Sequence, residues 1–283
     1  MKVGRTISAI RSVIAQGRAD GKSIGFVPTM GALHAGHLSL IRAARAECDF
    51  VVVSIFVNPT QFGPGADYAS YPRTEETDLA ACESLDVAAV FAPPVEEMYP
   101  RPGLTTVSVD SLGDGLCGAS REGHFDGVCT VVAKLLNIVG PDKAWFGMKD
   151  FQQAAIIKRM VADLNIPVTI ELCPTVRESD GLALSSRNAR LDEQSRSQAP
   201  AIYQALQAGS DILSKRKGSP ADALTKARLI IETAAPLGKI DYLVAVDPNT
   251  LQDASATSSE ILLAAAVEFP NARLIDNILV KRR

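Results

Sequence analysis

The fold is decided by the stretch from Ile24 to Leu40, IGFVPTMGALHAGHLSL. It begins with a short apolar run, continues through Gly31 and Gly36, and ends in apolar positions with helical spacing. This order predicts a strand, a tight turn and a helix. The N-terminus of a helix has unpaired N–H groups and a partial positive charge, which suit it to bind phosphate. His34 and His37 are three residues apart, so they would point the same way and could donate hydrogen bonds to phosphoryl oxygens.

Two other interpretations of this histidine pair stay open. A His-x-x-His sequence is often an ordinary surface pair or a partly buried pair in a core. Imidazole is also a common zinc ligand, but zinc needs further ligands, and the five cysteines have no C-x-x-C spacing. Pro28 and the two glycines around the pair favour phosphate binding, because a plain core helix would not start in this way.

Composition and charge limit the class of protein. At 283 residues the chain suits one large or two modest domains, and its 47% of apolar residues are enough for a sizeable core. The net charge of −3 argues against a nucleic-acid partner or an anionic membrane, since surfaces that bind these are usually basic. The scattered cysteines, the lack of a signal-peptide pattern near Met1 and the lack of any run of about 18 apolar residues predict a cytoplasmic protein without a membrane span.

Apolar patterns alternate between strands and helices along the first part of the chain. The β-branched run FVVVSIFV, residues 50–57, predicts a strand covered on both faces, as in a parallel sheet. The other expected elements are strands at 24–27, 87–91, 143–146 and 168–172, an edge strand at 105–109, and helices at 6–16, 75–85, 128–139 and 151–164. The alternation predicts an α/β fold with a Rossmann-like doubly wound parallel sheet. Ligands of such sheets gather at the carboxyl ends of the strands.

The pattern changes after about Val176. Helices are expected at 199–213 and 221–234, and strands at 240–246 and 264–269. We therefore expect two domains, residues 1–175 with the parallel sheet and residues 176–283 as a smaller C-terminal α+β domain. The stretch 63–72 is rich in glycine, proline and small residues, and it is either a mobile flap or an ordinary surface loop.

Two polar clusters follow predicted strands. FVNPTQF, residues 56–62, sets Asn58 and Gln61 just past a buried strand, where amides could orient a small substrate. Turns are rich in Asn and Pro for other reasons, so this signal is weak alone. WFGMKDFQQ, residues 145–153, sets Lys149 where it could neutralise a phosphate. The alternative is a solvated Lys149–Asp150 pair that caps a helix.

A third cluster is DGLALSSRNARL, residues 180–191. Ser185, Ser186 and Arg187 put two hydroxyls and a guanidinium side by side, which would make a clamp for a polyphosphate. As an alternative, these residues only cap a helix beginning near Asp192. All the clusters would converge on one edge of the sheet.

PTMGALHAGH, residues 28–37, resembles the HxGH signature of the nucleotidyltransferase superfamily, which includes the class I aminoacyl-tRNA synthetases. The full set of motifs resembles the pantoate–β-alanine ligase family, in order across nearly the whole chain. Its further members are FVNPTQF, YPRT (71–74), GHFDGV (123–128), GMKDFQQ (147–153) and LSSRN (184–188).

The resemblance implies an ATP-dependent ligase with two steps. The carboxylate of pantoate attacks the α-phosphate of ATP, with Mg²⁺ present, to give pantoyl adenylate and pyrophosphate. The amine of β-alanine then attacks the acyl carbon and releases AMP and pantothenate. The first domain would bind nucleotide and pantoate, and the second would close over the ATP. A homodimer is also implied.

The resemblance implies roles for individual residues. His34 and His37 would stabilise the transition state at the phosphates, with His37 preferred as proton donor, and Lys149 and Arg187 would assist them. Gln61 and Gln153, with Asn58, resemble the amides that bind pantoate. Asp78 is a candidate for the magnesium region, and Arg121 and His124 would lie near the site or at a subunit interface. The candidates for ATP binding are Met30, Gly36, His37, Gly147, Lys149, Asp150, Val176, Leu184, Ser185, Ser186 and Arg187.

Two residues depart from the family pattern. Met148 stands where Gln or Glu is usual and cannot make the hydrogen bond of that polar group. Leu184 stands where Met is usual, and this is a near-isosteric apolar exchange.

Three other functions compete with the ligase. A cytidylyltransferase-like enzyme would share the HxGH turn, but its product would keep the nucleotide. A class I tRNA synthetase is disfavoured because LSSR stands where a KMSKS-like lysine loop is expected and the chain has no basic signal for tRNA. A nucleotide-sensing module would bind ATP without turnover.

Overall fold

The computed structural model describes residues 1–63, 68–215, 218–255 and 257–282. The chain divides into two compact units. The first comprises Met1–Gly147 and Ile156–Pro174, and the second comprises Met148–Ala155 and the chain from Thr175 onward. Residues 64–67 of the expected flap or surface loop lie outside the described residues.

The first unit contains a six-stranded sheet in which every pair of neighbours is parallel. Its strands are β1 (Lys2–Gly4), β2 (Ile24–Thr29), β3 (Phe50–Ile55), β4 (Ala89–Phe91), β5 (Lys143–Gly147) and β6 (Thr169–Cys173). Their order is β1-β4-β3-β2-β5-β6, so the winding reverses between β2 and β5. This confirms the predicted doubly wound sheet. In such a fold the ligand crevice lies outside the carboxyl ends of the strands at the reversal.

Helices of the first unit cover both faces of its sheet. They are α1 (Ile7–Ala19), α2 (Ala35–Glu47), α3 (Glu75–Ser84), α4 (Val95–Met98), α5 (His124–Val139) and the greater part of α6 (Phe151–Asp163). On one face α2 packs Ile41 and Ala44 against Val27 and Val53. The residues that alternate with these along the strands, such as Phe26, are also fully buried. A strand buried on both sides must be apolar throughout, which is why the sequence of residues 50–57 predicts a strand.

One predicted strand is wrong. Residues 105–109 form no strand, because the Val107 N–H donates to the Thr130 hydroxyl, 3.0 Å away, and not to a neighbouring strand. The helix expected at 128–139 begins four residues earlier, at His124, after Gly123 with a left-handed φ of 70°. The helix expected at 151–164 is α6 (Phe151–Asp163), whose first residues belong to the second unit.

The second unit is α+β, as predicted. It contains the helices α7 (Glu193–Gln198), α8 (Ala201–Leu213) and α9 (Pro220–Ala234), and an antiparallel sheet of β7 (Lys239–Val246), β8 (Glu260–Phe269) and β9 (Ala272–Lys281). Its core joins Leu206 and Ile231 of the helices to Leu263 and Val267 of β8. β9 was not predicted, because two buried polar residues interrupt its apolar pattern.

All five cysteines are free thiols and all are buried. Burial raises the pKa of Cys82 to about 12 and that of Cys129 to about 11. Burial also raises the pKa of Cys48 and of Cys173. These thiols are therefore poor nucleophiles near neutral pH. Within the described ranges, no helix combines the length and apolar character that crossing a membrane requires.

Candidate functional site

The turn after β2 is held at its start by the side chain of Thr29. The Thr29 hydroxyl donates to the Ser54 carbonyl at 2.6 Å and accepts from the Gly31 N–H at 3.1 Å. Gly31 and Ala32 have left-handed φ values of 82° and 50°. A Cβ on Gly31 would lie 2.9 Å from Oδ2 of Asp78. Glycine is therefore needed here for both backbone conformation and space.

The two imidazoles cap the start of α2. His34 Nδ1 accepts from the Gly36 N–H at 3.1 Å, and His37 Nδ1 accepts from the His34 N–H at 3.4 Å. The ring centroids are 4.2 Å apart. Because each Nδ1 is an acceptor, each neutral ring carries its hydrogen on Nε2. The backbone N–H groups of His34 and Gly36 are used within the cap, and Nε2–H of each ring is a donor that suits a phosphate.

The turn after β3 brings together residues from three predicted motifs. Asn58 is buried, and its Nδ2 donates to the Gly127 carbonyl at 3.1 Å and to Gln61 Oε1 at 3.2 Å. Gln61 Nε2 lies 3.1 Å from Met30 Sδ. Met30 follows β2 directly, so the predicted meeting of the β2 and β3 ends occurs.

His124 supports this turn from α5. Its Nε2 lies 3.0 Å from Nη1 of Arg121, and its Nδ1 lies 2.7 Å from the Gln61 carbonyl. A guanidinium can only donate, so Nε2 accepts and the ring hydrogen is on Nδ1, from which it donates to Gln61. Of the two locations expected for Arg121 and His124, this contact supports the one near the site.

His124 should therefore show the opposite tautomer to His34 and His37. In their neutral forms, we expect His34 and His37 as Nε2–H and His124 as Nδ1–H. Long-range ¹H–¹⁵N spectra of the imidazole rings measure this directly, and three histidines give few enough signals to assign. An Nδ1–H form of His34 or His37 would contradict the capping geometry.

A glycine in the GHFDGV motif allows close packing of α5 on this turn. A Cβ on Gly127 would lie 2.3 Å from the Thr60 carbonyl oxygen and 2.7 Å from Cα of Gln61. Both are backbone atoms, which cannot turn aside as a side chain can. The position therefore excludes any larger residue while the turn stays in place.

Replacing Gly127 with alanine is expected to destabilise the chain. Helix propensity alone would favour alanine by about 1 kcal/mol. Overpacking typically costs about 1–3 kcal/mol, and a clash with backbone at this distance should reach the upper part of that range. Chemical denaturation measures the difference. Gly103→Ala is the control, since a Cβ there meets nothing within 4 Å. Equal unfolding free energies for the two variants would contradict the packing argument.

In the second unit, a small cavity joins two of the predicted clusters. Its polar lining includes Lys149, Ser185, Arg187, Asn188 and Asp276. Lys149 has a side chain only 16% exposed, and its Nζ lies 3.8 Å from Asp150 Oδ1. This burial argues against the simple solvated pair. The Lys149 and LSSRN clusters are thus brought together.

The loop that carries Ser185 is anchored locally. Ser185 Oγ accepts from the Arg187 N–H at 3.3 Å and caps a short 3₁₀ helix, Ser186–Arg190. Asn188 Nδ2 donates to Glu178 Oε1 at 2.9 Å and to the Ala183 carbonyl at 3.1 Å. The helix near Asp192 is capped by Asp192 itself, so the proposed alternative role of Ser185 there is wrong.

Four other predicted ATP-binding residues of the second unit do not line this cavity, namely Asp150, Val176, Leu184 and Ser186. The Leu184 N–H donates to the Val176 carbonyl at 2.9 Å, so these two residues pair with each other. Gly147 ends β5, the strand next to β2 in the sheet. Gln153, the amide predicted to bind pantoate, lies in the first turn of α6 and is half-buried. Their roles stay predictions.

Three residues that hold the surroundings of the Lys149 cavity together were not predicted. Arg177 makes a two-bond ion pair with buried Asp276, at 2.6 and 2.9 Å, and its guanidinium lies 3.6 Å from the ring centre of Tyr203. Burial raises the pKa of Asp276, and the bonds from Arg177 oppose this. Asn277 Nδ2 donates to the carbonyls of Met148 and Lys149, both at 2.9 Å. The signal was present as an Asp-Asn pair inside an otherwise apolar strand.

Both carboxylate oxygens of Asp78 accept hydrogen bonds from the backbone. The residue is 1% exposed, and the two oxygens accept from the N–H groups of Ala32 and Leu33 at 2.9 and 2.8 Å. In the part of the chain that the structure describes, no three His, Cys, Asp or Glu side chains form a group that could hold a metal. These contacts favour a structural role for Asp78.

The chain is similar to members of one protein family over nearly its whole length. A family model described as pantoate-beta-alanine ligase matches residues 2–279. A curated pantothenate synthetase from Moorella thermoacetica is 52% identical over 282 residues, which cover 99% of each chain. The solved pantothenate synthetase from Thermus thermophilus is 46% identical with a TM-score of 0.93, over 98% of this chain and 99% of that one. A pantoate-beta-alanine ligase from Francisella tularensis, solved in complex with beta-gamma ATP and beta-alanine, is 37% identical with a TM-score of 0.79, over 99% and 97%.

Proposed function

The chain belongs to the pantoate–β-alanine ligase family and is an enzyme of that activity, and we propose that it works through a pantoyl-adenylate intermediate. Its substrates are (R)-pantoate, β-alanine and ATP, and its products are pantothenate, AMP and pyrophosphate. The observation that supports this route best is the capped imidazole pair, whose Nε2–H groups suit phosphoryl oxygens.

In the first step, a carboxylate oxygen of pantoate attacks the α-phosphorus of ATP. The bond to the bridging oxygen of the β-phosphate breaks, and pyrophosphate leaves with that electron pair. Negative charge on the phosphoryl oxygens is stabilised by Nε2–H of His34 and His37, and by Lys149 and Arg187. Ser185 and Ser186 donate to the phosphates. Because preorganised donors need no rearrangement, they lower the barrier more than water would.

In the second step, the neutral amine of β-alanine attacks the acyl carbon of the adenylate. The carbon–oxygen bond to the phosphate breaks, AMP leaves, and the nitrogen loses a proton. The protein contributes mainly by position, because holding two reactants together removes much of the entropy cost of their meeting. Gln61 and Gln153, with Asn58 fixing the Gln61 side chain, orient pantoate for both steps.

ATP and β-alanine as ligands of this chain are supported by the complex of the Francisella relative. The proposal includes magnesium as the ion that is bound to the phosphates of ATP. Asp78 fits poorly as its ligand, because both carboxylate oxygens already accept backbone N–H groups. A cytoplasmic homodimer, a nucleotide- and pantoate-binding domain of residues 1–175 and a C-terminal domain that closes over ATP complete the proposal.

Isotope transfer tests the intermediate. Pantoate labelled with ¹⁸O in its carboxylate is incubated with the enzyme, ATP, Mg²⁺ and β-alanine, and the AMP is analysed by mass spectrometry. The adenylate route transfers one ¹⁸O to AMP. Formation of ADP and phosphate would contradict it in favour of an acyl phosphate. A product that keeps the nucleotide would indicate the cytidylyltransferase-like reaction, and binding of ATP without turnover would indicate a sensing module.

A further inference from the structure

Asp78 connects α3 to the turn that precedes the histidine pair. Its carboxylate accepts from two successive backbone N–H groups, those of Ala32 and Leu33, and from the Thr74 hydroxyl at 3.2 Å. The next residue along the chain is His34. The carboxylate therefore holds the backbone immediately before the first imidazole.

The backbone of this turn is stabilised by the Asp78 carboxylate, which lies outside the turn in sequence. Ala32 has a side chain and yet a left-handed φ of 50°, a conformation that costs energy for residues other than glycine. Hydrogen bonds to a charged acceptor are stronger than neutral ones, and two of them here secure the strained conformation. Asp78 is 1% exposed, so water cannot substitute easily for either partner.

The position of the imidazoles depends on the same turn. His37 Nδ1 accepts from the His34 N–H, and His34 Nδ1 accepts from the Gly36 N–H. A shift of the backbone at Leu33 moves the His34 N–H and so disturbs both capping bonds. The tautomer and direction of the two rings therefore depend on a carboxylate 46 residues away from Ala32 in sequence.

We propose that Asp78 is a positioning residue, which holds the 31–33 turn so that His34 and His37 present Nε2–H to the phosphates. The proposal rests on the proposed function of the two histidines. It gives Asp78 no contact with substrate and replaces the magnesium role suggested by the family resemblance.

Asp78→Asn tests the proposal, with Glu76→Gln as matched control. Asparagine offers one acceptor oxygen where two N–H groups need one each, whereas Glu76 lies exposed in the same first turn of α3. A misplacement of about 1 Å can cost about 10²-fold in rate. We therefore expect kcat for pantoate-dependent pyrophosphate–ATP exchange to fall by about 10- to 10²-fold. KM for ATP should change less, and Glu76→Gln should match the wild type.

Imidazole ¹⁵N spectra give a second measurement that general destabilisation would not change. In folded Asp78→Asn, the signals of His34 and His37 should move toward a mixture of tautomers, while the signal of His124 stays in place. If Asp78→Asn does not fold, Thr74→Val replaces it. This variant removes only the hydroxyl bond and should shift the same two signals by less.

Four results would overturn the proposal. They are an unchanged kcat for Asp78→Asn, an unchanged His34 and His37 spectrum in that variant, a spectrum of Thr74→Val identical to that of the wild type, and a loss of exchange that extra Mg²⁺ restores. The last would favour the metal role. Failure of the proposed function is separate, because the wild type itself would then show no exchange while the spectra still report on the turn.

Discussion

Replacing His37 with alanine is expected to slow pantoate-dependent pyrophosphate–ATP exchange by about 10²–10³-fold, while the chain still folds. This is the usual effect of removing one preorganised donor from a developing oxyanion. The folded state should survive, because His37 is only half-buried and its cap bond to the His34 N–H, at 3.4 Å, is long. Exchange of labelled pyrophosphate measures the first step alone, without β-alanine.

Two further variants separate the functions of the two ring nitrogens. His37→Asn keeps an acceptor near the position of Nδ1 but has no group at Nε2, so it should be as slow as His37→Ala. His37→Gln carries a donor near the position of Nε2 and should recover part of the rate. Arg42→Ala, exposed on the same helix, is the control and should be fully active. Near-normal exchange by His37→Ala would contradict the assigned role.

Replacing Lys149 with methionine is expected to lower kcat/KM for ATP by about 10²–10³-fold. A charge pair at about 4 Å contributes roughly 4 kcal/mol at an effective dielectric constant near 20. Since about 1.4 kcal/mol corresponds to tenfold, loss of that pair gives the stated range. Methionine keeps most of the length and apolar surface, so the cavity should stay packed.

Lys149→Arg and Lys158→Met complete this experiment. Arginine retains the charge with different geometry and should recover activity in part. Lys158 is exposed on α6, and its replacement should leave kcat/KM unchanged. If Lys149→Met kept a normal kcat/KM for ATP, the phosphate role would be wrong, and the lysine would be only a structural member of its cavity.

The parallel sheet could be predicted because its central strands, β2 and β3, are buried on both faces. Such strands are apolar throughout, as β3 illustrates, and they stand out from amphipathic helices. β1 was missed because three residues are too few for a pattern. β9 was missed because Asp276 and Asn277 interrupt its apolar residues, and these two form bonds to Arg177 and to the Lys149 segment.

The site could be predicted only in part. The motif order identifies the family, and the spacing of His34 and His37 predicts that both imidazoles lie at the start of α2, but their capping bonds were not predicted. The meeting of Met30 with Gln61 could be inferred, since the ends of β2 and β3 are neighbours in the sheet. The bond from Asp78 to the turn could not, because no periodicity relates α3 to residues 31–33. Convergence of both units on one triphosphate stays a prediction.

The burial of the native thiols has a practical consequence for spectroscopy. Alkylating reagents attack thiolates at the surface, and all five native sulfurs are shielded. A single cysteine introduced at an exposed position, such as Glu76, should therefore take up a maleimide dye or spin label selectively without prior removal of the natural ones. With a second cysteine introduced at another exposed position, the distance between the two labels could then be measured in solution while the native thiols stay in place.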